Sequence, residues 1–223
     1  MKIYLIRHGD PDYSTDTLTQ AGKAEAQSLA EYLSTVNIDL IFTSPLGRAR
    51  ATAAYSESAL SKQAEVLDWT EEVKLLAPDD SDFMTWYGNP ENYRDLTYQN
   101  HKAWMKVIKN IEAESDTLFE KLGWKRNAHQ YHFLPQNNIK KELQIVLFSH
   151  GGFGLTWLAY LLNIPYHLMW TSFFLHTSSV TTILFDERPI SVATPKVIAL
   201  SALPHLYKHN LPPSKTGIKA NYV

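Results

Sequence analysis

Two stretches of this chain, far apart in sequence, are built alike. Ile3-Tyr4-Leu5-Ile6 runs into Arg7-His8-Gly9, and Ile145-Val146-Leu147-Phe148 runs into Ser149-His150-Gly151-Gly152. Each begins as a short unbroken apolar run, the pattern of a strand buried on both faces. Such strands belong to parallel sheets with helices on either side. The neighbouring segments agree. Thr19 is placed to cap a helix whose Ala26, Leu29, Ala30 and Leu33 form one apolar stripe. Leu40-Ile41-Phe42 reads as another strand, and Ser44-Pro45 opens a second helix reaching about Ser58. A further helix is predicted from about Gly152 to Leu162. Val180 to Phe185 and Lys196 to Leu200 read as closing strands, paired as a hairpin across Arg188-Pro189. Strand and helix in alternation predict a three-layer α/β/α sandwich around a mainly parallel sheet.

Between about Trp69 and Lys141 no strand of comparable strength occurs. Trp104, Ile108, Ile111, Ser115, Leu118 and Leu122 instead recur at alternating spacings of four and three, as in an amphipathic helix. Residues 69–141 are therefore expected to form a helical insertion over the active-site mouth, within a single domain of residues 1–223. From Leu203 the chain holds Pro204, Pro212 and Pro213 and little periodicity, so residues 203–223 are expected to be an irregular tail.

Composition removes several functions. Lys and Arg number 21 against 23 Asp and Glu, a formal net charge of −2, so no basic surface for nucleic acid is expected. There is no cysteine, which excludes disulfides, thiolate nucleophiles, Fe–S clusters and Cys-type zinc sites, and permits the cytosol. The longest apolar stretch, Phe153 to Ile164, is too short for a membrane span, and the first residues reach Arg7 and His8 before a signal sequence could develop. A cytoplasmic protein without membrane attachment is expected.

In an open parallel sheet, ligands bind beyond the carboxyl ends of the strands, at the switch point. Both His-Gly pairs would lie on that edge, where glycine lets a ligand approach the backbone and a helix start favours an anion. Thr43-Ser44-Pro45-Leu46-Gly47-Arg48 leaves another strand at the same edge and puts Arg48 in the first helical turn, with Arg50 as the alternative. Arg7, Arg48, His8 and His150 around one point make an anion site, and two guanidinium forks suit a phosphate. Taken alone, a histidine after a strand is more often structural, Arg48 reads as a helix-surface residue and the glycines as ordinary turns. The argument rests on their coincidence at three strand ends. His129 with His132, and His205 with His209, have spacings that could bind a metal on a helix. They lack an accompanying carboxylate motif and are read as surface residues, so no metal or other cofactor is expected. Gly151-Gly152-Phe153-Gly154 lacks the Lys-Ser/Thr of a P-loop, and Ser44 has no Gly-x-Ser-x-Gly elbow.

Leu5-Ile6-Arg7-His8-Gly9 resembles the Arg-His-Gly signature of the histidine phosphatase superfamily, the phosphoglycerate-mutase-like proteins. Leu18-Thr19-Gln20-Ala21-Gly22, Ser44-Pro45-Leu46-Gly47-Arg48-Ala49 and Phe148-Ser149-His150-Gly151-Gly152 resemble its other motifs, in the same order. The likeness covers residues 1–60 and about 143–200. It implies that His8 is the nucleophile that becomes phosphorylated, that Arg7, Arg48 and His150 hold the phosphoryl group, and that Gly151 brings backbone close to it. It also implies a carboxylic acid that protonates the leaving alcohol. Glu72 is selected by aligning Asp68-Trp69 with the family pattern, and Glu71 stays open. Asp10, Asp79 and Asp80 follow if neither serves. After Arg-His-Gly, the mutases of the family resemble Glu-Ser-x-x-Asn, whereas this chain has Asp10-Pro11-Asp12-Tyr13. The implied function is metal-independent hydrolysis of a small phosphorylated metabolite. The alternatives are a phosphoglycerate-type mutase or a phosphate-binding module without turnover.

Overall fold

The computed structural model describes residues 1–73, 99–134, 142–188 and 191–218. Its centre is an eight-stranded sheet. In chain order the strands are β1 (Lys2–Arg7), a small separate pair β2 (Pro11–Asp12) and β3 (Thr17–Leu18), β4 (Leu40–Thr43), β5 (Glu65–Val66), β6 (Trp124–Asn127), β7 (Gln130–Phe133), β8 (Gln144–Ser149), β9 (Val180–Arg188) and β10 (Val192–Ala202). The helices are α1 (Gln20–Leu33), α2 (Gly47–Leu60), α3 (Gln99–Lys121), α4 (Gly151–Leu162), α5 (Tyr166–Ser172) and α6 (Pro204–Lys208). Across the sheet the order is β5-β4-β8-β1-β9-β10-β7-β6. The first four strands run parallel, and the rest alternate antiparallel from β1 outward.

Alternation along the central strands divides the interior into two cores. Tyr4, Ile6, Val146 and Phe148 face α1 and α2, where they meet Leu29, Leu33 and Ala53. Ile3, Leu5, Ile145 and Leu147 face α3 and α4, with Ile111, Phe119, Phe153 and Trp157. These are the three expected layers. The predicted cap on α1 forms, Thr19 Oγ1 accepting from Gly22 N–H at 3.0 Å.

Three expectations are corrected. Within 69–141 the expected helix forms as α3, but the expectation of no further strand fails: β6 and β7 form a hairpin that joins the main sheet through β10. Each of its strands carries one fully buried side chain, Trp124 and Tyr131, so alternation is too brief to read. The tail is not irregular from Leu203, because Pro204 opens the short helix α6. Finally, His205 is not a surface residue. It is buried against α1, where Ser28 Oγ donates to its carbonyl at 2.7 Å, and its Nε2 lies 3.1 Å from Ser178 Oγ. His209 pairs with Glu31 at 3.1 Å, and among the described residues no cluster could hold a metal.

Candidate active site

β1 and β8 are adjacent and parallel, with Arg7 opposite Ser149. Their connections leave toward opposite sides of the sheet, so the switch point lies between them. One residue beyond the register, His8 and His150 stand side by side with ring centroids 5.2 Å apart. Backbone bonds fix this spot from both sides. His8 N–H donates to Ser149 O at 2.9 Å, and Ser178 N–H, just before β9, donates to His8 O at 2.9 Å.

Arg7, His8, Arg48 and His150 are 7%, 1%, 9% and 0% exposed. Burying two guanidinium groups beside two imidazoles is costly unless a function requires it. The electrostatic consequence falls on the histidines. Burial, together with Arg7 and Arg48, pushes the His8 pKa down to about 3, against a single raising contact from Gly9 O and the charge of Asp16. Burial, His8 and both arginines depress His150 as well. Both rings are therefore neutral near pH 7.

His8 Nδ1 lies 2.8 Å from Gly9 O. A carbonyl only accepts, so Nδ1 carries the proton and Nε2 keeps its lone pair. Arg7 donates through Nη1 to Leu175 O at 2.6 Å, and Arg48 through Nη1 to Asp16 Oδ1 at 2.6 Å. Among the buried nitrogens without a hydrogen-bond partner in the described residues are Arg7 Nε, Arg48 Nε and His150 Nδ1. Together with the bare Nε2 of His8, these are donors suited to an anion. Gly151 packs its backbone on Arg7, and a β-carbon there would stand 3.4 Å from Arg7 Nε.

Of the two glutamates, Glu72 is the one that reaches this place. Its Oε1 accepts from Phe153 N–H at 2.9 Å and from Val73 N–H at 3.0 Å. One of the amides expected to face an anion at the start of α4 is thus taken by a carboxylate. Burial raises the Glu72 pKa, against the opposing pull of the Phe153 amide, Arg7 and Arg48. A β-carbon on Gly152 would come within 2.7 Å of Glu72 Oε1, so this approach requires glycine. Glu71 is exposed, as is Arg50. Asp79 and Asp80 lie outside the described residues. Asp10 is poorly placed as an acid. Burial raises its pKa, but hydroxyls of Ser214, Thr216 and Thr19 outweigh this and hold it below the usual carboxylate range.

Several site residues have no motif to announce them. Asp16 accepts from Gly47 N–H at 2.6 Å as well as pairing with Arg48, which ties the β2–β3 segment to the start of α2. Tyr13 lies against the Arg48 guanidinium, 5.6 Å from ring centroid to Cζ. Ser44 Oγ lies 2.7 Å from His150 Nε2. The tail returns to the site, where Ser214 and Thr216 hydroxyls donate to Asp10 Oδ1 at 2.5 and 2.6 Å and Gly217 packs beside Arg7. The only sequence signal available for these was proximity to the motifs, which Asp16, Tyr13 and Ser44 have and the tail does not.

A family model described as "Histidine phosphatase superfamily (branch 1)" matches residues 3–196. The chain belongs to that superfamily. Histidine phosphatases of known structure share its fold. The phosphoserine phosphatase of Entamoeba histolytica, in complex with 3-phosphoglyceric acid, superposes with a TM-score of 0.64 at 21% identity, covering 92% of this chain and 98% of its own. The α-ribazole phosphatase of Shigella flexneri gives 0.60 at 22%, covering 91% and 96%. A mycobacterial glucosyl-3-phosphoglycerate phosphatase gives 0.60 at 17%, covering 90% and 98%. No curated protein matches the chain in sequence. As a member of this superfamily the protein is a phosphatase-family enzyme, and among the described residues no helix is long and apolar enough to cross a membrane.

Proposed function

We propose that this histidine phosphatase hydrolyses a small phosphorylated metabolite through a phosphohistidine on His8. The observation that carries the reading is the state of His8: neutral, its Nδ1 proton committed to Gly9 O, its Nε2 lone pair among buried donors that have no partner. Phosphoryl transfer asks mainly for positioning and for charge stabilisation on the equatorial oxygens. Arg7, Arg48 and the Nδ1 side of His150 supply that without calling on a metal.

In the first half-reaction His8 Nε2 attacks phosphorus in line, the P–O ester bond breaks, and Glu72 gives its proton to the departing oxygen. The raised pKa of Glu72 keeps that proton available. Phosphorylated His8 keeps its Nδ1 proton on Gly9 O. In the second half-reaction Glu72, now a carboxylate, takes a proton from water as the water oxygen attacks phosphorus. The P–N bond breaks, phosphate leaves and both groups return to their starting states.

Residues 1–223 act as a single domain in this reading. The segment 69–141, which carries Glu72, shapes the leaving-group side, and the reaction takes place in the cytoplasm.

The test is trapping. Rapid acid-free denaturation during turnover of an aryl phosphate should capture acid-labile phosphate on the wild-type chain and none on His8→Ala, with turnover lost in the variant and unchanged by a chelator in the wild type. A variant that still turns over would overturn the mechanism. Phosphate binding without turnover in the wild type would return the reading to a binding module.

A further inference from the structure

Ser44 is wholly buried at the end of β4, the strand on the far side of β8 from β1. Its backbone is pinned there, its N–H donating to Phe148 O at 2.8 Å. Its hydroxyl has two partners, and their chemistry differs. Leu46 N–H, at 3.3 Å, can only donate to it. His150 Nε2, at 2.7 Å, can donate or accept according to tautomer.

The two arrangements are not equivalent. If Nε2 carried the proton, the Ser44 oxygen would accept twice and its own hydrogen would have no acceptor in a wholly buried position. His150 would also turn a bare Nδ1 lone pair toward any anion, adding repulsion where the site needs donors. If Ser44 donates to Nε2, every group is matched. The hydroxyl accepts from Leu46 and gives its hydrogen to His150, and the proton of the neutral ring sits on Nδ1, the nitrogen that has no other partner.

We propose that Ser44 is a positioning residue that locks neutral His150 in its Nδ1–H tautomer, so that His150 acts as a hydrogen-bond donor to the phosphoryl group. Ser44 touches neither substrate nor nucleophile and works only through the ring it orients. For metal-ligating histidines an outer partner of this kind is worth about 10–100-fold in affinity or activity, and a loss of the same order is expected here. The inference rests on the phosphatase reading, yet its first readout needs no turnover.

The experiment combines ¹⁵N-histidine NMR with kinetics on 4-nitrophenyl phosphate. His150 resonances are assigned by their loss in His150→Gln. The wild type should show His150 with a protonated Nδ1 and a bare Nε2. Ser44→Ala should show a mixture or the Nε2–H form and lose about 10–100-fold in kcat/KM, while Ser44→Thr, which keeps the hydroxyl, retains the wild-type tautomer and most of the rate. An Nε2–H form in the wild type overturns the proposal even if Ser44→Ala fails to fold. So does a Ser44→Ala protein with unchanged tautomer and rate. Failure of the phosphatase reading itself would appear elsewhere, as absence of acid-labile phosphate on His8.

Discussion

The two halves of the sheet divide the labour. In the parallel half, β5-β4-β8-β1, the strands end on a common edge, and three neighbours in a row deliver Ser44, His150 and His8 there. In the antiparallel half, β9-β10-β7-β6, side chains are spent on an aromatic core. Phe119 meets Tyr131 at 5.0 Å and Phe185 at 5.1 Å between ring centroids, and Phe185 meets Tyr131 at 4.9 Å and Trp124 at 5.9 Å. Among the described residues of this half, only the entry to β9 serves the site, because an antiparallel neighbour of β1 begins where β1 ends. That is how Leu175 O reaches Arg7 and Ser178 N–H reaches His8 O. Parallel pairing gathers chain exits, which bring polar side chains together at one edge of the sheet. Antiparallel pairing adds support from behind.

If this division is right, damage to one half should be separable from damage to the other. The largest effect is expected in the antiparallel half. Trp124 is fully buried and in contact with Phe133 and Phe185. Trp124→Ala should cost about 3–5 kcal/mol of stability, read from urea unfolding, with kcat on an aryl phosphate little changed for the protein that remains folded. A collapse of kcat without loss of stability would erase the distinction.

Next come the arginines of the parallel half. Arg7→Ala and Arg48→Ala should each lose about 10²–10³ in kcat/KM, comparable to removing one transition-state donor, while thermal unfolding shifts little. Arg50→Ala, an exposed control two residues on along α2, should behave as wild type. A critical Arg50 with a dispensable Arg48 would contradict the burial of Arg48 at the site.

The smallest effect sharpens the comparison within the site. Nitrophenolate departs with little proton help, whereas an alkoxide needs an acid. Glu72→Gln should therefore slow an alkyl phosphate by about 10²-fold and an aryl phosphate far less, with Glu71→Gln near wild type on both. Equal losses on the two substrates would remove Glu72 from the acid role.

How much of this could be read beforehand follows the same line. β1 and β8 were legible because burial on both faces leaves an unbroken apolar run, and their ends were legible because Arg-His-Gly and Ser-His-Gly stand directly after it. The hairpin of β6 and β7 was not, since Lys125, Arg126, Gln130 and His132 surround single buried residues. Glu71 and Glu72 are adjacent, and only the fold distinguishes them, by turning one toward the amides that open α4. His205 read as surface because its covering partner, α1, lies about 180 residues earlier, as the Ser28 bond shows with its separation of 177.

The strap formed by the tail concerns the order in which the molecule can be assembled. The bonds from Ser214 and Thr216 to Asp10 close loops of 204 and 206 residues. Contacts of such span form late, because the entropy of closing the loop falls only once the chain between is already folded. The pairing of β1 with β8, at a separation of about 142 residues by its register, has to come first. A chain caught between these events would hold its histidines side by side while Asp10 still lacked the tail hydroxyls that hold its carboxyl below the usual range. The hydrogen-bonded setting of Asp10 is thus completed last, by residues more than two hundred positions away in the chain.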